Sequence, residues 1–256
     1  MKVPAGVSFV VPCFNEEENV AATVQTIRSV MIEQNDYEVI LVDDCSRDST
    51  LPRMQAMADA DSRIRVIHNT VNLGLGGAYK RGAAAALGRY VMLIPGDDGF
   101  PAESIAEILR HAGRADIIIP VVINSRARTR FRAFASRGFT TLLNWVFWLE
   151  VGYYNGAVLH RTALLRTIEI RTNGFAYQAE ALVKLIAAGA SYTECGVRIQ
   201  ERATGRSTAL SLKNQITVWK TIAHLLAEVG LFRKLRVGSF GGSQPSSRAS
   251  SRGRQA

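Results

Sequence analysis

The 256-residue chain is 47% hydrophobic and 21% charged, with a formal net charge of +9. This length builds one large α/β domain or two small ones around a buried core, and no run reaches the roughly 18–20 uninterrupted apolar residues that a membrane span needs. Three cysteines without C-x-x-C spacing, four histidines without ligand spacing and no signal-peptide apolar segment speak against disulfides, structural zinc and secretion, so a cytoplasmic protein is expected.

In chain order, residues 7–11 form a first predicted strand that enters the elbow Pro12-Cys13-Phe14-Asn15-Glu16, where Asn15 is placed to cap a helix over about residues 16–31. Residues 37–42 form a second strand that enters Asp43-Asp44, and Ser46 or Asp48 can cap a helix over about 50–58. A third strand over 64–68 leads into the glycine-rich turn Asn72-Leu73-Gly74-Leu75-Gly76-Gly77 and an alanine-rich helix over about 78–87. The fourth strand, 90–94, enters Pro95-Gly96-Asp97-Asp98; a helix over 101–112 and a short strand over 116–122 follow. Beyond 123 the pattern changes to longer helices and irregular stretches without a linker. Residues 139–149 are apolar nearly all round a helix, which suits burial in the core or an interfacial helix dipping aromatics into lipid. Leu212, Ile216, Trp219, Ile222, Leu226 and Val229 form a stripe at helical spacing, which suits packing more often than membrane contact. The expected organisation is one domain over 1–230 and a basic, disordered tail over 231–256 that holds six Lys/Arg and no acid.

Three apolar runs therefore end in polar elbows. Continuous apolar runs suit parallel strands buried on both faces, and in open α/β sheets ligands bind outside the carboxyl ends of the strands. A ligand is expected to meet Asn15, Asp43, Asp44, Asp97 and Asp98 together, some carboxylates gripping hydroxyls and others a divalent cation that faces phosphate. The glycine turn lacks the third glycine of a dinucleotide fingerprint and follows the third strand, and Lys80 is misplaced for a Walker loop. Arg126, Arg128, Arg130, Arg132 and Arg137 lie in a stretch without acids between Ile117 and Leu149, a pattern that suits a solvated face, anionic lipid heads or a pyrophosphate. No RNA-motif aromatics accompany the basic runs, so nucleic acid is not an expected partner.

Val10-Val11-Pro12-Cys13-Phe14-Asn15-Glu16, Asp43-Asp44-Cys45-Ser46-Arg47-Asp48-Ser49-Thr50 and Asn72-x-Gly74-Leu75-Gly76-Gly77-Ala78-Tyr79 together resemble the family 2 glycosyltransferases of the GT-A fold. The later segments Ser125-Arg126, Arg132-x-x-x-Ser136, Gly174-Phe175 with Glu180, and Glu194 followed by Arg202-x-x-Gly205-x-Ser207, resemble the dolichyl- and polyprenyl-phosphate hexose synthases of that family. The resemblance implies a central, mostly parallel sheet with helices on both faces. It implies inverting transfer of a hexose from a GDP-mannose or UDP-glucose type donor to a polyprenyl phosphate, with peripheral contact at the inner face of the cytoplasmic membrane. Pro12, Asn15, Glu16, Asp43 and Asp44 would cradle the nucleoside, with Gly74, Gly76 and Gly77 passing close to the nucleotide. Asp97, with Asp98 beside it, would hold Mg²⁺ or Mn²⁺. Arg126 would meet the donor diphosphate, Arg132 and Ser136 the acceptor phosphate, and Arg202 with Ser207 would close over both. Glu180 is the candidate base should the acceptor be a hydroxyl. The sequence departs from the family's pattern at Pro95, where an acid is usual, at Thr208, where a lysine is usual, and at Tyr153, where an aspartate is common. A soluble hydroxyl acceptor, or nucleotide-sugar binding without catalysis, are the other readings.

Overall fold

The computed structural model describes residues 6–124, 130–199, 221 and 223–227, for 130–135 the backbone alone. In chain order these are β1 (Val7–Cys13), α1 (Val20–Val30), β2 (Tyr37–Asp43), α2 (Thr50–Ala60), β3 (Ile64–His68), α3 (Gly74–Ala85) and β4 (Tyr90–Leu93). After these come α4 (Ala102–Arg110), β5 (Ile117–Val122), α5 (Arg130–Phe147), β6 (Leu159–Arg161), α6 (Thr162–Leu165), α7 (Tyr177–Ala187) and β7 (Tyr192–Val197). The strands form one seven-stranded sheet in the order β3-β2-β1-β4-β6-β5-β7. Only β6 runs against its neighbours; β4 and β5 both pair with it antiparallel, so β5 and β7 point the same way as β1–β4.

Strand periodicity divides the sheet's side chains between two cores. Val7, Phe9 and Val11 of β1 join Val24 and Ile27 of α1, Met54 of α2 and Ile105 and Ile108 of α4. Val10, from the same strand, joins Tyr79 and Ala83 of α3, Leu143 of α5 and Leu182 of α7 on the opposite face. This is why β1 reads as an unbroken apolar run: all seven of its residues are buried. Pro12 is tolerated in a central strand because its carbonyl accepts the Gly96 N–H (3.3 Å) on the β4 side, beyond the Val7–Val10 register. Its missing N–H faces the same way, past Leu93, the last residue of β4 in that register, so no bond of the register is lost.

Several elements depart from expectation. Helix α1 begins at Val20, with Asn19 at its N-cap, while Asn15 sits at φ +57° and does not cap it. The glycine turn is itself the first turn of α3, which starts at Gly74 rather than Ala78. Strands β6 and β7 and helix α7 carry no clear period in the sequence; β6 is three residues long, and α7 is buried nearly all round. Residues 139–147 are the second half of α5, and they are not buried on all sides. Leu143 is fully buried, but Trp145 and Trp148 are 77% and 79% exposed. Of the stripe, Leu226 is exposed; Leu212, Ile216, Trp219, Ile222 and Val229, with the tail over 231–256, lie outside the described residues.

Candidate functional site

The carboxyl ends of β1, β2, β3 and β4 share one sheet edge, with Cys13, Asp43 and His68 in register across the first three. The acids following them converge on the buried Cys13 thiol, which is pushed well up by burial first and then by the fields of Glu16, Asp43, Asp97 and Asp48. Each of the three elbows holds a non-glycine residue in the left-handed region: Asn15 at φ +57°, Cys45 at +65° and Asp98 at +50°. Asn and Asp visit this region with little cost, whereas for Cys45 the penalty is about 1–2 kcal/mol. Such outliers persist where surrounding bonds over-determine them, as they do at functional sites.

The bonds that do so here zip the first elbow to the second. The Asn15 N–H donates to Ser46 Oγ (3.0 Å) and the Arg47 N–H to Asn15 Oδ1 (2.8 Å). The Glu16 N–H donates to Thr50 Oγ1 (2.8 Å), whose hydroxyl donates in turn to Asp48 Oδ1 (2.6 Å). Asn19 holds the Glu16 carboxylate at 2.8 Å. Asp48, by contrast with the alternative cap Ser46, accepts the Thr50 N–H at the start of α2. Asn15 and Glu16 thus lie against the second elbow, next to the paired ends of β1 and β2 that carry Pro12 and Asp43.

Asp44 and the glycines have a different task. Asp44, 3% exposed, accepts from Asn69 Nδ2, from the Leu73 N–H and, at its other oxygen, from the Gly74 N–H, each at 2.8 Å. Two further N–H groups in the first turn of α3, from Gly76 and Gly77, donate to the Asn173 carbonyl (2.8 and 3.2 Å). A Cβ on Gly76 would lie 2.9 Å from that carbonyl and 2.8 Å from Tyr177 Cβ. The glycines therefore admit the 171–174 strap, and the Gly74, Gly76 and Gly77 N–H groups at the helix N-terminus already have a carboxylate or a carbonyl as acceptor.

Glu180 anchors that strap. It is buried, accepting the N–H groups of Arg171 (2.9 Å) and Thr172 (2.8 Å), with Lys184 Nζ at 2.8 Å. Burial raises its pKa, but these donors together outweigh it and hold the carboxyl below its ordinary range. A carboxylate so satisfied is a weaker base than a free one, which disfavours proton abstraction.

At the fourth strand end the two acids diverge. Asp98 accepts from Thr26 Oγ1 (2.9 Å) while its N–H donates to Thr23 Oγ1 (3.0 Å), so one of its carboxylate oxygens is turned to α1. Asp97 accepts the Gly99 N–H (3.1 Å) and contributes to the field on Cys13. Among the described residues no group of three or more His, Cys, Asp or Glu could hold a metal alone. One carboxylate fits a cation that takes its other ligands from water and phosphate, as Mg²⁺ does.

β5 and β7 end at this same edge, where their outgoing chains are clasped together. Asn124 Nδ2 donates to the Ile199 carbonyl (2.7 Å) and the Ile199 N–H donates to Asn124 Oδ1 (3.0 Å). Arg126, Arg202 and Ser207 follow these exits and lie outside the described residues, as does the Arg132 side chain; Ser136 is half-buried on α5. Sequence reasoning missed Asn69, Asn124 and Asn173. Their signal was a polar residue just beyond a strand or before a helix, a pattern too common to single them out.

The profile of Glycosyl transferase family 2 matches residues 8–168, which is more than half of the sequence. The chain belongs to this glycosyltransferase family. Across 121 residues it is 36% identical to a succinoglycan biosynthesis protein of Rhizobium meliloti, covering 47% of this chain and 33% of the relative, so it matches only about a third of that protein's length. With the undecaprenyl-phosphate mannosyltransferase of Micrococcus luteus it shares 25% identity over 77% of this chain and 85% of the relative. Among solved structures, glucosyl-3-phosphoglycerate synthase of Mycobacterium tuberculosis, in complex with Mn²⁺, UDP and phosphoglyceric acid, superposes with a TM-score of 0.65 at 17% identity, over 87% of this chain and 78% of that one. That likeness bears out the GT-A glycosyltransferase fold, the mixed α/β class with a mostly parallel sheet.

Proposed function

We propose that this glycosyltransferase moves a hexose from a nucleotide-diphosphate sugar, of the GDP-mannose or UDP-glucose type, to a polyprenyl phosphate with inversion, using residues 1–230 as one catalytic domain. The observation that carries the reading is the shared sheet edge: the acid-lined elbows of β1, β2 and β4 and the exits toward both arginine-bearing segments, after Val122 and Val197, lie on one side of the sheet. Similarity to an undecaprenyl-phosphate mannosyltransferase over most of its length supports the lipid acceptor.

In this reading Pro12, Asn15, Glu16 and Asp43 form the nucleoside wall, and Asp44, Gly74, Gly76 and Gly77 fix α3 behind it. Asp97 would hold Mg²⁺ or Mn²⁺, which when bound supplies positive charge against the growing charge of the leaving diphosphate. Arg126 meets that diphosphate; Arg132 and Ser136 meet the lipid phosphate, and Arg202 with Ser207 closes over both. A phosphate oxygen of the acceptor attacks the anomeric carbon, the bond to the donor diphosphate breaks, and its electron pair leaves with the nucleotide. An ionised phosphate needs no general base, which agrees with Glu180 being committed to the strap. No described helix is long and apolar enough to cross a membrane. The exposed residues Arg137 and Trp145 of α5, with Trp148 just beyond its end, suit contact with the anionic surface of the cytoplasmic membrane's inner face.

The test offers labelled GDP-mannose and UDP-glucose with undecaprenyl phosphate, undecaprenol or soluble glycans. Label extracted into the organic phase only with the phosphorylated lipid supports the proposal; transfer to a soluble hydroxyl, or to undecaprenol equally well, overturns the acceptor assignment.

A further inference from the structure

The residue that ends β3 has no role in the resemblance, yet it covers the carboxylate assigned to the nucleoside. Asp43 is fully buried, with 0% exposure. Its Oδ1 accepts the Ser46 N–H (3.3 Å) and its Oδ2 faces His68 Nδ1 at 2.8 Å, while the His68 side chain is 43% exposed. A ligand at this edge therefore meets the exposed His68 ring, whereas the Asp43 carboxylate behind it has no exposed surface. An imidazole that donates Nδ1–H to a carboxylate presents Nε2 as a lone-pair acceptor when neutral. The backbone beneath is fixed: the Asn69 N–H donates to the Asp43 carbonyl (2.8 Å) and Asn69 Nδ2 to Asp44 (2.8 Å). In the neutral form with Nδ1–H on Asp43, His68 thus offers Nε2 as an acceptor from a ring held against that carboxylate.

Its place in the sheet says what it meets. β3 and β4 are separated by β2 and β1. Three strand spacings, about 14 Å, then lie between His68 and the Asp97 elbow. An extended nucleoside diphosphate bridges that span with its phosphates at Asp97 and its base at the β2–β3 edge.

We infer that His68, oriented by Asp43, reads the nucleobase of the donor by accepting the ring N–H that uracil, thymine and guanine carry and that cytosine and adenine lack. The inference rests on the nucleotide-sugar reading above. A site built to accept a hydrogen bond rejects a base that presents a lone pair there, because two acceptors then face each other.

The test measures dissociation constants of UDP, GDP, CDP and ADP, and of N3-methyl-UDP and N1-methyl-GDP, for the full chain and for His68→Gln and His68→Asn. One neutral hydrogen bond corresponds to a preference of about 3–10-fold. The wild type is expected to favour UDP or GDP over CDP and ADP by at least that factor and to lose it on ring-N methylation. Glutamine places an amide near the Nε2 position and keeps most of the preference. Asparagine keeps a donor for Asp43 but has no atom near Nε2, and loses it. The reverse order, with asparagine rescuing and glutamine failing, would show that His68 only props Asp43 and overturns the inference. Equal binding of the methylated nucleotide by the wild type overturns it without reliance on any variant. Should no nucleoside diphosphate bind the wild type, the donor reading falls as well.

Discussion

Replacing Asp44 separates a structural anchor from a ligand contact. Its carboxylate accepts three hydrogen bonds of 2.8 Å, from Asn69, Leu73 and Gly74, in a position 3% exposed. Each bond to an ionised acceptor is worth about 1.5–3 kcal/mol, but the three share one group and do not add. Asp44→Ala leaves two backbone N–H groups and one amide buried without a partner, a network loss of about 3–5 kcal/mol. Asp44→Asn keeps the shape and turns one accepting oxygen into a donor, costing about 1.5–3 kcal/mol. Urea unfolding followed by circular dichroism reads both, with midpoints falling at unchanged slope. Amide exchange at Leu73 and Gly74 should accelerate in both variants. A loss below about 1 kcal/mol in Asp44→Ala would refute the capping role. If nucleotide affinity collapsed in Asp44→Asn while stability held, Asp44 would instead be touching the ligand.

Other consequences follow from the same packing. Gly76→Ala forces a Cβ against the Asn173 carbonyl and Tyr177, and should cost about 2–4 kcal/mol in the same unfolding assay. Gly138→Ala, in α5 with nothing within 4 Å, should stabilise by about 0.5–1 kcal/mol. The Glu180 carboxyl is held below its ordinary value, so its stabilisation is complete above the unfolded-state pKa of about 4.3 and is lost as pH falls through the lower folded value. Glu180→Gln is therefore less stable than the wild type at pH 7, and the two converge in acid titrations of stability. Its turnover should stay within tenfold of the wild type, against the loss of about 10²–10⁴ expected of a general base. Serine at both Trp145 and Trp148 should release the protein from anionic liposomes in sedimentation at low salt; undiminished sedimentation removes that face from the membrane contact.

The part of the fold legible in the sequence is the part whose physics is local. β1, β2 and β4 are buried on both faces, so they appear as apolar runs, and the elbows announce themselves because carboxylates end those runs. What was illegible depends on partners distant in sequence. Gly74 opens α3 because Asp44 and Asn173 supply the acceptors its first N–H groups need, and nothing near residue 74 reveals either. β6 is a three-residue strand held by β4 and β5, too short for alternation to show. Asp97 and Asp98 are adjacent and chemically alike, and only Thr23 and Thr26 of α1 decide which of them faces away. His68 looked like one of four scattered histidines until register placed it beside Asp43.

Turnover of Asp97→Asn beside Asp98→Asn tests the central claim most directly, with the donor and lipid phosphate that the wild type uses and with Mg²⁺ or Mn²⁺ present. Chemistry at the acid-lined edge predicts that Asp97→Asn loses about 10²-fold or more of the transfer rate, while Asp98→Asn, whose carboxylate serves Thr26, stays within tenfold. Equal losses in both, or an Asp97→Asn enzyme as fast as the wild type, would contradict it.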